Sequence, residues 1–181
     1  MSKRRVKNVL LCEDRQHEAF FRYYLEQIGY NPRKLDVQKA STGSGEQWVR
    51  NRYPIELRAY RKHSEDTHNL IVVIDGDGRS LEDRRAQLQS ASSAESLPER
   101  GEDEAVSILV PRRNIETWIR YLQGEPVQED HREAYPKLGR ESDCYGAVDR
   151  LLAIRANNWM APDDCPPSLR AGLVELRRLR T

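Results

Sequence analysis

Leu70 to Gly78 reads LIVVIDGDG, five branched aliphatic residues without a polar break, followed by Asp75-Gly76-Asp77-Gly78. An uninterrupted run of this kind suits a strand buried on both faces of a parallel sheet, where a half-solvated strand would alternate. The switch to aspartate and glycine marks a tight turn at the strand's carboxyl end.

On either side, other apolar runs recur at intervals that leave room for helices. Val6 to Cys12 (VKNVLLC) predicts a first strand and Leu35 to Lys39 a weaker second one. Leu70 to Ile74 is then the third, and Val106 to Val110 (VSILV) the fourth. Between the first two, Phe20, Tyr24, Leu25 and Ile28 recur at helical spacing, with Gly29 placed as a C-cap. Ser44 and Gln47 predict a capping box for a second helix carrying Trp48, Val49 and Tyr53, which Pro54 should kink or restart. Ser80 should cap a third helix running to about Ser90, with a polar loop from Ser92 to Glu104. Ile115, Trp118, Ile119 and Leu122 predict a fourth helix ended by Gly124. Two more follow, at Ala147 to Ala156 and Ser168 to Arg180, the last with a stripe of Leu169, Leu173, Leu176 and Leu179.

Strands alternating with helices predict right-handed βαβ crossovers. The expected fold class is α/β and Rossmann-like: a mainly parallel four-stranded sheet flanked by helices, with additional C-terminal helices. The 181 residues suit a single domain, with a core at about 6–124, a polar insertion at 125–142 and a helical extension at 143–181.

Composition narrows the function classes. One third of the residues are charged, yet the formal net charge is only +1, so the overall balance does not advertise nucleic acid. Such a partner would need a local patch of Lys and Arg. Lys3, Arg4 and Arg5, and Arg177, Arg178 and Arg180, could widen such a track, although runs of this kind are usually solvated faces. Cys12, Cys144 and Cys165 are odd in number and far apart, which argues against a disulfide framework or a structural zinc site. No stretch has the length of a membrane span, and a soluble cytoplasmic protein is expected.

Ligands of open α/β sheets bind beyond the carboxyl ends of the strands. The first strand ends in Glu13-Asp14, the third in Asp75-Gly76-Asp77, and the fourth in Pro111-Arg112-Arg113-Asn114 with Glu116 just beyond. DGDG alone could be ordinary turn chemistry. A second acid at the same edge of the sheet favours a metal-binding cluster, because hard carboxylate oxygens suit Mg²⁺ or Mn²⁺. Glu18 and Glu116 could add ligands, or simply complement helix dipoles. Arg112 and Arg113 are candidates for phosphate or nucleic-acid binding.

VLLCEDRQHEAF (Val9 to Phe20) and LIVVIDGDG together resemble the Toprim family, in which one hydrophobic strand ends in Glu and a later one in DxD. PRRNIETWIRYL (Pro111 to Leu122) is similar to a segment of small OLD-like Toprim proteins associated with bacterial phage defence. The resemblance covers about two thirds of the chain. It implies that Glu13 is a metal ligand or general acid/base, and that Asp75 and Asp77 bind metal. The chain departs from the family at Asp14, where glycine is usual, and at His17, where an acid is frequent.

The resemblance implies a Mg²⁺- or Mn²⁺-dependent nuclease acting on DNA or RNA, with a partner such as an ATPase, and a homo-oligomer is compatible with it. Two other readings stand beside it. One is a non-catalytic scaffold subunit that retains the acids. The other is a receiver-like phospho-acceptor domain, disfavoured by the 62 positions between Glu13 and Asp75.

Overall fold

Four parallel strands form the centre of the computed structural model, which describes residues 7–63 and 67–180. They are β1 (Lys7–Cys12), β2 (Leu35–Lys39), β3 (Thr67–Val73) and β4 (Val106–Leu109), in the spatial order β2-β1-β3-β4. All three strand pairings are parallel, so the expected "mainly parallel" sheet is wholly so. Val6, assigned from sequence to the first strand, lies outside the described residues, as do Lys3, Arg4 and Arg5.

Alternate residues of each strand feed two separate cores, as expected for a sheet covered on both faces. Leu10, Cys12, Ile71, Val73 and Leu109 face one way. There they meet α1 (Arg15–Gln27), α4 (Ile115–Leu122), α5 (Tyr145–Ala156) and α6 (Pro167–Leu176). Val9, Leu11, Leu70, Val72, Ile74, Val106, Ile108 and Val110 face the other way, against α2 (Gly45–Lys62) and α3 (Leu81–Ala94). Trp118 is fully buried in the first core, on the apolar face that its spacing predicts.

The helix starts follow their caps. Asp14 accepts from the N–H groups of Gln16 and His17 at the head of α1, and Gly29 follows its C-cap with φ 100°. Ser80 and Asp83 form a reciprocal capping box on α3. Ser44 accepts from the Gln47 N–H, so this side of the expected box forms.

Several boundaries differ from expectation. Pro54 neither ends nor restarts its helix; α2 continues through it to Lys62. A proline lacks one backbone donor, and here burial of Tyr53, Pro54, Leu57 and Tyr60 on the sheet holds the helix together. The third helix runs to Ala94 instead of Ser90, because Leu88 and Ser92 are buried on the same face. The last helix starts at Pro167 and stops at Leu176, so Arg177 to Arg180 fall beyond it.

Glu175 of α6 finishes the edge of the sheet. The residue is 3% exposed, and its carboxylate takes the Ile108 N–H of β4 at 2.8 Å and is ion-paired to Arg85 and Arg100. Its carbonyl accepts from the Ser107 hydroxyl at 2.8 Å. A strand edge that would otherwise expose its donors is thereby covered by helix.

Candidate metal centre

The strand order places the acids. From β1 the chain crosses outward to β2 through α1; from β3 it crosses the opposite way to β4 through α3. Strands β1 and β3 are neighbours whose connections diverge to opposite faces, which makes the gap between their carboxyl ends the topological switch point of the sheet. Crevices of this kind are where open α/β sheets bind ligands. Glu13 follows one strand and Asp75 follows the other.

The two are joined directly. Glu13 Oε1 accepts the Asp75 backbone N–H at 2.6 Å. His17, one helical turn along α1, closes a second link: its Nδ1 accepts the Glu13 N–H at 3.3 Å and its Nε2 meets Asp75 Oδ1 at 2.9 Å. Its side chain is wholly buried.

The DGDG turn is held by the β4–α4 connection. Three successive N–H groups, of Gly76, Asp77 and Gly78, donate to the carbonyls of Pro111, Arg113 and Arg112. A Cβ on Gly76 would lie 2.3 Å from the Arg112 carbonyl oxygen, so no other residue fits there without displacing backbone. Asp77 takes a left-handed φ of 50°, a conformation that aspartate tolerates better than most residues. The Arg113 guanidinium lies over Gly78.

Arg84 of α3 backs this turn from inside the protein. It is 2% exposed and donates through Nε to the Asp75 carbonyl at 2.9 Å. It also meets Asp77 Oδ2 at 3.2 Å, the Gln87 amide oxygen at 2.8 Å, and Glu46 from the first turn of α2.

Glu116 is the least satisfied group of the site. It is 2% exposed, and its Oε1 is buried without a hydrogen-bond partner. Burial, together with the Asp75 and Asp14 carboxylates nearby, raises its pKa above the usual range. Burial and then Asp75 push the Glu13 pKa up to about 7. Asp77 is raised for the same two reasons, despite the proximity of Arg84. Burial disfavours a charged His17, but Asp75, Asp14 and Glu13 outweigh it and push the pKa up to about 9. The Glu13 N–H works against that charge, because a ring nitrogen that accepts carries no proton. With Nδ1 accepting, the heavy-atom geometry matches a neutral ring whose hydrogen sits on Nε2.

Other expected site residues are engaged elsewhere. Glu18 is paired with Lys39 at 2.7 Å and Arg22 at 2.9 Å, which hold its pKa low in spite of burial. Arg112 reaches Asp130 at 3.3 Å. The segment 125–142 lies beside the acids: Asn114 donates to the Tyr135 carbonyl at 2.8 Å, and Lys137 reaches Asp14 at 3.2 Å.

Glu13 and Asp75 are thus brought together, with Asp77 on the same turn and Glu116 within reach of the Asp75 charge. Among the described residues, no group of three or more His, Cys, Asp or Glu side chains is placed to hold a metal ion. The donor chemistry nonetheless fits a hard divalent cation: carboxylate oxygens, one of them buried and unpartnered.

Sequence reasoning missed Arg84, Glu46, Lys137 and the linking role of His17. Two of these left a trace. His17 shares the apolar stripe of Phe20, Phe21 and Tyr24, and Arg84 interrupts the stripe of Leu81 and Leu88. A polar residue on a buried stripe needs a buried partner. Glu46 and Lys137 carry no comparable mark.

Fold and site define a class: a parallel α/β domain with a carboxylate cluster at its topological switch point. No family model, curated protein or solved structure matches the chain. No described helix is long and apolar enough to cross a membrane.

Proposed function

We propose that the protein is a Toprim-like, Mg²⁺- or Mn²⁺-dependent nuclease hydrolysing phosphodiester bonds of DNA or RNA, with Glu13, Asp75 and Asp77 at its centre. The observation that carries this reading is the direct link between Glu13 and Asp75 at the switch point, with the buried, unpartnered carboxylate oxygen of Glu116 within electrostatic reach of Asp75. Buried like charges are costly unless a cation offsets them. A bound divalent ion would polarise a phosphate and activate water there.

Glu13, Asp75, Asp77 and Glu116 would hold the ion. Glu13 is also suited to proton transfer, because its pKa of about 7 lies near neutral pH. Arg113, over Gly78, is the better placed of the two arginines to meet a phosphate oxygen, since Arg112 is tied to Asp130. Lys137 adds a second positive group that is largely exposed. The similarity of Pro111 to Leu122 to phage-defence proteins supports a role in such a system, acting on nucleic acid with a partner such as an ATPase.

The test is cleavage of single-stranded DNA, duplex DNA and RNA with Mg²⁺ or Mn²⁺, alone and with the products of neighbouring genes. The expected result is metal-dependent cutting that is lost in Asp75→Ala, Glu13→Gln and Asp77→Asn while the fold persists. No cutting of any substrate, with capture of a protein partner, would favour the scaffold reading. Phosphorylation of Asp75 by a small phosphodonor would favour the receiver.

A further inference from the structure

Both ring nitrogens of His17 are occupied within the protein, one by the Glu13 N–H and the other by Asp75 Oδ1. The side chain has no solvent contact. It therefore has no lone pair to offer an ion, and its contribution must pass through Asp75.

We propose that His17 is the positioning residue of the acidic centre, pinning Asp75 so that a single carboxylate oxygen, Oδ2, faces the cation. This rests on reading the centre as a divalent cation site. A carboxylate at the end of a strand can rotate, and Arg84 lies close enough to Asp75 to hold its carbonyl. The imidazole fixes the rotation by taking Oδ1. Glu13 is pinned in a matching way, because its Oε1 takes the Asp75 N–H and leaves Oε2.

Glu13, His17 and Asp75 form a closed ring in which each acid keeps one free oxygen. That arrangement suits Mg²⁺ or Mn²⁺, which bind few carboxylates and retain waters, better than Ca²⁺, which takes more ligands and bidentate ones. A rigid five-membered ring suits the task because its two nitrogens point in opposite directions, one to each strand end.

The test is Mn²⁺ binding by the full chain, followed by electron paramagnetic resonance of the free ion. A glutamine can present an N–H where Nε2 stands; an asparagine can accept the Glu13 N–H but does not reach Asp75. His17→Asn should weaken Mn²⁺ binding about 10- to 100-fold, the usual cost of losing an outer partner of a metal ligand. His17→Gln should recover most of that loss. Equal binding by both variants, whether as tight as wild type or equally weakened, overturns the proposal. A wild-type chain that binds no Mn²⁺ overturns the cation reading itself.

Nitrogen-15 spectra of the wild-type histidine supply a readout that needs no variant. The ring should be the Nε2–H tautomer, with Nε2 shifting as Mg²⁺ is added. An Nδ1–H ring, or one that does not respond to a bound ion, contradicts the positioning role.

Discussion

Glu13 Oε1 and the backbone N–H of Asp75 stand 2.6 Å apart across 62 positions of sequence. The bond ties the ends of two adjacent strands at the point where the chain's crossovers diverge. A carboxylate used in this way is held in place and partly desolvated, and it faces a second carboxylate on the same residue that holds it.

Crowding of this kind sets a pH dependence. The Glu13 pKa is raised from 4.5 to about 7. A raised folded-state pKa contributes stability that is full below the unfolded value and is lost as pH rises through the folded one. Without metal, the midpoint of thermal unfolding should therefore fall between about pH 4.5 and 7, and Glu13→Gln should remove that fall. A divalent ion should compete with the Glu13 proton, so its affinity should drop as pH falls below about 7. Calorimetry in two buffers of different ionisation enthalpy should detect the proton released.

Glu116→Gln exchanges a buried carboxylate, one oxygen of which has no partner, for a neutral amide of the same shape. Leaving a buried polar group unsatisfied costs about 1–3 kcal/mol, more if it is charged. The substitution should therefore stabilise the metal-free protein by about 1 kcal/mol in urea unfolding, while weakening Mn²⁺ binding. A variant that stabilises and leaves binding unchanged would remove Glu116 from the site.

Glu175 supplies the opposite case, a buried acid whose partners are Arg85, Arg100 and the Ile108 N–H. Breaking such a network on one side typically costs about 3–5 kcal/mol because the charges left behind stay buried. Glu175→Ala should show a loss of that order in chemical unfolding. Any protein that remains folded should bind Mn²⁺ normally, since Glu175 bonds to Arg85, Arg100, Ser107 and Ile108 and to none of the site's acids.

Gly76→Ala should act on both properties. The added methyl meets the Arg112 carbonyl, and relieving the clash costs about 1–3 kcal/mol as overpacking. Because the β4–α4 loop also holds the Asp77 backbone, Mn²⁺ affinity should fall with stability. Unchanged affinity in a destabilised Gly76→Ala would mean that the turn does not shape the site.

Much of the fold could be read directly. Continuous aliphatic runs announced both-face burial, and the carboxylates that ended them lie at the carboxyl edge of the sheet. What the chain could not reveal was strand order, and with it whether Glu13 and Asp75 are neighbours; that depends on crossovers which sequence period does not encode. Helix ends were read well where a side chain caps them, as at Ser44 and Ser80. They were misread where burial overrides a local signal, as at Pro54 and Ser90. At the site, strand-end acids were visible because they follow apolar runs, whereas Arg84 and Lys137 arrive from a helix face and a loop whose positions only the folded chain defines.

Anomalous diffraction from crystals of the protein grown with Mn²⁺ addresses the central claim most directly. The account predicts a manganese peak bonded to carboxylate oxygens of Glu13 and Asp75, with Asp77 and Glu116 around it, and no peak in Asp75→Asn. A peak elsewhere, or none while Glu13 and Asp75 keep their present bonds, would contradict it.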